Sequence, residues 1–371
     1  MKEAIRILAE WDRPGPRDPI GGDWRPHEER DVDPMVRYAG PMAAAAGSFP
    51  DEAARDYARA LEARGAGPHA PVAGRALDRI LRDTERGAET RVAALRGLVR
   101  MEAREATSAL DYGAADADAS VRTASFDAMA ARDPERALGL LADIVRGDDS
   151  GDLARQQAVR AIAGIDHPDA PVLLRQFIRS DAASGRSSSI TLELLEAALA
   201  STDPGVQAAW KAREVALESP DDDLGSWAYA LAGGDAAAGR EIFLTKSETS
   251  CLRCHAYGTE GGSEVGPDLT EVGSRLQPLD LLRSIVDPNA EVAEEYQNWL
   301  FSLEDGEVVV GRVLERGEAF LVETPQKETV RFLASEVEAS REDLSSMPQD
   351  VASHLSRKEL RDLMAFLISS R

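Results

Sequence analysis

The chain has 371 residues, 43 of them Lys or Arg and 66 Asp or Glu, for a formal net charge of −23. That excess of acid disfavours phosphate backbones and anionic lipid as partners, since both are bound by clustered cations, and no run approaches the roughly 18 apolar residues of a membrane-spanning helix. With hydrophobic residues at 43% and only two cysteines, the chain can fill packed cores but cannot build a disulfide framework.

Residues 1–11 (MKEAIRILAEW) place Ile5, Leu8 and Trp11 at helical spacing. No secretory signal is legible there, and a helix that begins without a cap is expected to belong to a longer chain. Residues 12–50 are rich in Pro, Gly, Asp and Arg and read as an irregular connection anchored by Trp24. The first 50 residues are thus expected to form an irregular segment with one helix.

From 51 to 232 the pattern is helical, Ala-rich and broken by short Gly/Asp/Pro stretches. Three segments share one template: Arg91–Leu98, Arg122–Met129 and Arg155–Ile162. Each has Arg, two residues, a small residue, a large apolar one, any residue, Gly or Ala, then a large apolar one. Partner helices are expected at 76–85, 135–146 and 170–179, with a weaker match at 190–200. Two helices per repeat, neither able to bury its apolar face alone, predict an α-solenoid that resembles HEAT-type repeats. An irregular helical bundle is the alternative. The domain boundary is expected at Gly233–Gly234.

Beyond it lies Cys251-Leu252-Arg253-Cys254-His255. This CxxCH spacing suits covalent attachment of a c-type haem: the two thiols reach the two vinyl groups, and the next imidazole reaches the iron from below. A structural zinc site would want four ligands, yet the other histidines (His27, His69, His167 and His354) are scattered singly. A thioredoxin-like redox pair would need a βαβ context, whereas the preceding segment reads as a helix running into a Ser/Thr-rich turn.

The surroundings resemble class I cytochromes c. Gly239 and Phe243 stand on the helix before the motif, where that resemblance implies packing against a terminal helix supplying Leu360, Leu363, Phe366 and Leu367. Gly266-Pro267-Asp268-Leu269-Thr270 is similar to the loop whose proline carbonyl holds the haem histidine, which makes Gly266 and Pro267 part of the implied haem-binding set. Ser346-Met347-Pro348 stands where such proteins carry the distal ligand, so Met347 is the implied sixth ligand to iron opposite His255. His354 is a rival ligand, Met364 competes from the last helix, and ordinary core packing is the other use of a methionine.

Between the motif and Met347 the chain spends about 90 residues. A short helix at Leu279–Val286 is followed by four alternating segments, Tyr296–Leu303, Val308–Leu314, Ala319–Thr324 and Thr329–Leu333, which predict a small antiparallel sheet inserted at about 295–335. The whole of 233–371 resembles the haem-binding cytochrome c domain typical of large planctomycete and verrucomicrobial proteins, in which HEAT-like repeats and, earlier, a sugar-dehydrogenase-like propeller often precede it. The expected fold is therefore mainly α: a HEAT-like solenoid over 51–232, then an α-helical cytochrome c domain with a β insertion.

The resemblance implies one covalent haem c and electron transfer through a His/Met iron. It also implies a redox protein or an upstream dehydrogenase domain as electron donor. A dehydrogenase's electron-exit module and a haem peroxidase are the alternatives. The chain shows no G-x-G-x-x-G or G-x-x-x-x-G-K fingerprint of its own. Glu264, Asp268 and Glu271 near the haem loops would solvate the surface or favour a basic partner, and the repeats could seat a protein partner. Haem c attachment takes place outside the bacterial cytoplasmic membrane, so a periplasmic location is expected.

Overall fold

The computed structural model describes residues 34–147, 150–184, 187–217, 224–263, 265–324 and 327–371. The expected helix at 1–11, Trp24, His27 and Glu264 lie outside the described residues. The fold is mainly α, with a small five-stranded antiparallel sheet near the C-terminus. By packing, the chain divides into two compact units, Met1–Leu174 and Arg175–Arg371.

The first unit holds helices α1 (Pro34–Ala45), α2 (Asp51–Arg64), α3 (Ala70–Arg82), α4 (Ala88–Arg100), α5 (Ala106–Ala114), α6 (Ala119–Arg132), α7 (Pro134–Arg146) and α8 (Asp152–Gly164), and the start of α9 (Asp169–Ala183). Helix α1 corrects the expectation of irregular chain through residue 50. Pro34 is suited to a first helical turn and the alanines at 43–45 are strong helix formers, so the segment stays helical despite Pro41 inside it. Helices α2, α4, α6 and α8 pack each on the next, and α1, α3 and α5 do likewise beside them.

The template arginines explain themselves here. Arg91 is buried and pairs with buried Asp116; Arg122 donates through Nη1 to the carbonyls of Asp116 (2.6 Å) and Ala117 (2.8 Å); Arg155 donates through Nε to Val145 O (3.0 Å). Each guanidinium thus satisfies acceptors in the turn or helix end beside its own helix, which water cannot reach as easily.

The second unit contains α10 (Thr191–Ala200), α11 (Pro204–Leu217), a 3₁₀ segment Gly225–Leu231, α12 (Ala236–Thr245), α13 (Val272–Arg275), α14 (Pro278–Val286), the sheet, and α15 (Arg357–Ser369). Packing sets the division near 174, well ahead of the change of sequence character at 233–234. The reason is concrete: Arg361 on α15 donates from Nη1 to both carboxylate oxygens of Glu193 on α10 at 3.1 Å, with each residue only 2% exposed. Asp181 on α9 likewise accepts from Arg213 Nε on α11 (2.6 Å) and from Thr191 on α10. The Asp181 bonds tie 175–217 together, and the Glu193–Arg361 pair ties that block to the C-terminal segment.

Helix α12 starts at Asp235, whose carboxylate caps Ala237 N and Ala238 N while its own N–H donates to Asp362 Oδ1 on α15. It lies so close to α15 that a Cβ on Gly239 would meet Asp362 O at 1.9 Å. Gly239→Ala must therefore separate two backbones, and a loss of about 1–3 kcal/mol is expected in chemical denaturation. Phe243, Tyr257 and Phe366 close this contact, with ring centroids 5.1–5.5 Å apart.

The sheet comprises β1 (Asn298–Leu303), β2 (Val308–Arg316), β3 (Ala319–Glu323), β4 (Thr329–Leu333) and β5 (Val337–Glu342), in the order β4-β3-β2-β1-β5. One face buries Phe301, Leu303, Val309, Val322 and Phe332. Gly306, at φ +87°, makes the β1–β2 turn. Strand β5 is an addition to the four expected. Its sequence, VEASRE, is almost wholly exposed apart from Val337, which packs against the buried cluster, so it carries no apolar alternation and is held mainly by pairing with β1.

Candidate functional site

Cys251 opens a single 3₁₀ turn, and the N–H groups of Cys254 and His255 both return to Cys251 O at 3.1 and 3.0 Å. That turn brings the two sulfurs and the imidazole to one side of the chain. All three residues line a cavity whose remaining wall is mainly apolar: Phe243 from α12, Leu269, Ile285 from α14, and Leu363 and Leu367 from α15. Its enclosed room is small, about 70 Å³, below the ~300–1,000 Å³ of formed small-molecule and cofactor sites.

The imidazole is oriented from behind. His255 Nδ1 lies 2.8 Å from Pro267 O. A carbonyl can only accept, so Nδ1 carries the proton and Nε2 keeps its lone pair. Burial lowers the imidazole's pKa, partly offset by the Pro267 hydrogen bond, which keeps the ring neutral and basic at Nε2. Gly266 makes room for the ring, since a Cβ there would stand 2.8 Å from His255 Cε1 and push the imidazole away. The loop itself is tied back by Gly266 N to Cys254 O (2.6 Å), Leu269 N to Ala256 O (2.9 Å) and Gly258 N to Thr270 Oγ1 (2.6 Å). Arg275 on α13 reaches the carbonyls of Asp268 and Thr270.

Met347 lines the same cavity, on the loop between β5 and α15. The two rivals do not. His354 is turned outward, its Nε2 3.4 Å from Asp350 Oδ2 and both side chains substantially exposed. Met364 is fully buried in the helix core and is not among the lining residues. His69 and His167 belong to the first unit.

Both cysteines are free thiols, and burial pushes the Cys251 thiol up. Redox-active CxxC pairs depend on a thiolate favoured by a lowered pKa, the opposite environment. Among the described residues, no group of three Cys, His, Asp or Glu converges as a metal-binding set. Two free thiols, a neutral imidazole with an available Nε2, a thioether side chain and an apolar wall form a donor set that fits haem c. Neither a protein family nor a curated protein matches the chain.

The pair that links α12 to α15 beside this site gives it a pH dependence. Lys246 Nζ donates to Glu359 Oε1 at 2.8 Å, and Glu359 also completes the capping box of α15 with Ser356. These hydrogen bonds, the lysine's first, push Glu359 down from 4.5 to about 2. A carboxylate depressed in the folded state stabilises it above the unfolded value and ceases to do so as pH falls through the folded one. Wild type should therefore lose stability between pH 4.5 and about 2 more steeply than Glu359→Gln; denaturant midpoints taken across that window check this.

What sequence reading missed is the apolar wall contributed by Ile285, Val351 and Leu355. Ile285 could have been found from the helical spacing of Leu281, Leu282 and Ile285; the other two sit in and just after a 3₁₀ turn with no periodic signal.

Proposed function

We propose that the segment from Gly233 onwards holds one haem c through Cys251 and Cys254, with His255 and Met347 as axial ligands to iron, and that the protein transfers electrons. The observation that carries this reading is the His255–Pro267 hydrogen bond, which leaves Nε2 free on a cavity that also presents both cysteines and Met347. The bound group would supply a one-electron iron couple. The chain's own residues do the rest: Pro267 O fixes the imidazole tautomer, Gly266 leaves the ring room, and the Phe243, Leu363 and Leu367 side chains exclude water. As the sixth ligand, Met347 would occupy the position a substrate or peroxide would need. Among the described lining residues, none besides His255 is an acid or base suited to peroxide cleavage, which favours electron transfer over the peroxidase reading.

On this reading residues 233–371 form a cytochrome c domain with a β insertion, similar to the planctomycete and verrucomicrobial type. The successive packing of α2, α4, α6 and α8 supports a HEAT-like solenoid for the preceding helices, a surface suited to a protein partner. The electron donor would be a redox protein or an upstream dehydrogenase domain, and the location periplasmic, where haem c is attached. Among the described residues no helix is long and apolar enough to cross a membrane.

The test is to export the chain with a grafted signal in cells expressing the haem c maturation system. Haem bands that persist through acid-acetone extraction are expected. A folded, well-matured sample without covalent haem would sink the proposal.

A further inference from the structure

Packing holds the loop that carries Met347 only at its tip, where Met347 and Pro348 line the cavity. Leu344 is 60% exposed, and Ser346 and Pro348 are exposed as well. Hydrogen bonds from outside the loop hold the rest, at four successive residues. Asp343 N donates to Asn298 O (2.9 Å), and Gln297 Nε2 donates to Asp343 O (2.8 Å). Asn298 Nδ2 donates to both Leu344 O and Ser346 Oγ, each at 2.9 Å. From the turn after α14, Asn289 Oδ1 accepts from Ser345 N at 2.8 Å. Inside the loop, Met347 N donates to Ser345 Oγ (3.2 Å).

Asn298 begins β1 and is only 9% exposed, so its two donated bonds are made where water competes poorly. Strand β5 pairs with β1 as far as Glu342 opposite Trp299, which delivers the loop directly onto Gln297 and Asn298.

We propose that Asn298 and Asn289, with Gln297, are positioning residues that hold Met347 on the cavity wall, and that the β insertion, which carries Gln297 and Asn298, is the main bracket. The functional meaning of the bracket rests on the haem reading, while its structural half stands independently. Losing a buried donor that serves two acceptors should raise the population of the open loop about tenfold. The attachment residues Cys251, Cys254 and His255 are untouched by such a change.

The experiment compares the matured full chain with Asn298→Ala, Asn289→Ala and Asn298→Asp, the last removing the donors at nearly constant volume. Four quantities are read: hydrogen-exchange protection of the amides at 343–347, covalent haem after extraction, the far-red absorption band of Met-ligated ferric haem, and carbon monoxide binding to the ferrous protein. Expected are wild-type haem content, protection at 343–347 reduced about tenfold with the rest of the sheet unchanged, a weakened far-red band, and readier carbon monoxide binding. A purely structural role would lower overall stability while leaving the band and the carbon monoxide response alone. Unchanged protection in all three variants overturns the bracket whether or not haem is attached. So does a wild-type band and carbon monoxide response in variants that carry haem. Lost protection in a chain that carries no covalent haem strikes the haem reading alone and leaves the assignment of the loop's supports standing.

Discussion

Arg361→Ala is expected to destabilise the C-terminal unit by about 3–5 kcal/mol, the usual cost of removing one member of a buried ion pair. Arg361 and Glu193 are each 2% exposed, and the guanidinium meets both carboxylate oxygens. Without Arg361, the buried Glu193 carboxylate loses the guanidinium that meets both of its oxygens, and its charged form is held less well. The double change Glu193→Leu/Arg361→Met should recover most of the loss, since it removes the charge that the single variant strands. Denaturant melts of the three proteins read this directly. A loss below about 1 kcal/mol for Arg361→Ala would instead class the pair with solvated surface bridges.

The second large effect concerns the cofactor site. Cys251→Ala/Cys254→Ala is expected to leave no haem after acid-acetone extraction, whereas either single variant keeps one thioether and retains haem in part. Met347→Ala should keep the covalent haem, lose the far-red band of the ferric form and bind carbon monoxide when reduced, because the sixth position is then open. The two variants separate attachment from ligation. Loss of covalent haem in Met347→Ala but not in the double cysteine variant would reverse the assigned roles.

The features of this site legible in the sequence are those in which local chemistry dictates spacing. A thiol pair and imidazole within five residues is such a short-range demand, whereas Gly239 on the helix contact and the Gly266-Pro267 behind the histidine were legible only through the resemblance to cytochromes c. The four strands with inward apolar residues were legible as the thiol pair was, since alternation is local. Strand β5 was not, because VEASRE makes its case mainly through its partner β1. Nothing local in the sequence marks Glu193 and Arg361 as buried, since their burial depends on a contact 168 residues apart in sequence. Asn289, Asn298 and the Met347 loop present the same difficulty: amide side chains with no periodic pattern, whose role follows from where the sheet sets them down. Residues 34–45 erred the other way, since Pro41 invited a break that the alanine run overrides.

The pairing of β1 with β5 has a consequence for the polymer physics of ligation. On the proposed ligation, coordination of one iron by His255 and Met347 would close a loop of about ninety residues, and the entropic cost of closing a flexible loop rises by only about 0.6 kcal/mol for each doubling of its length. Because Asn298 and Asp343 are hydrogen-bond neighbours, the sheet short-circuits about half of that contour before any metal bond forms. By length alone the gain is one doubling. The bracket's larger effect would be orientational: closure would pass from a search by a long tether to the seating of a four-residue tip, and the methionine's effective concentration at a bound iron would be set by the rigidity of a small sheet.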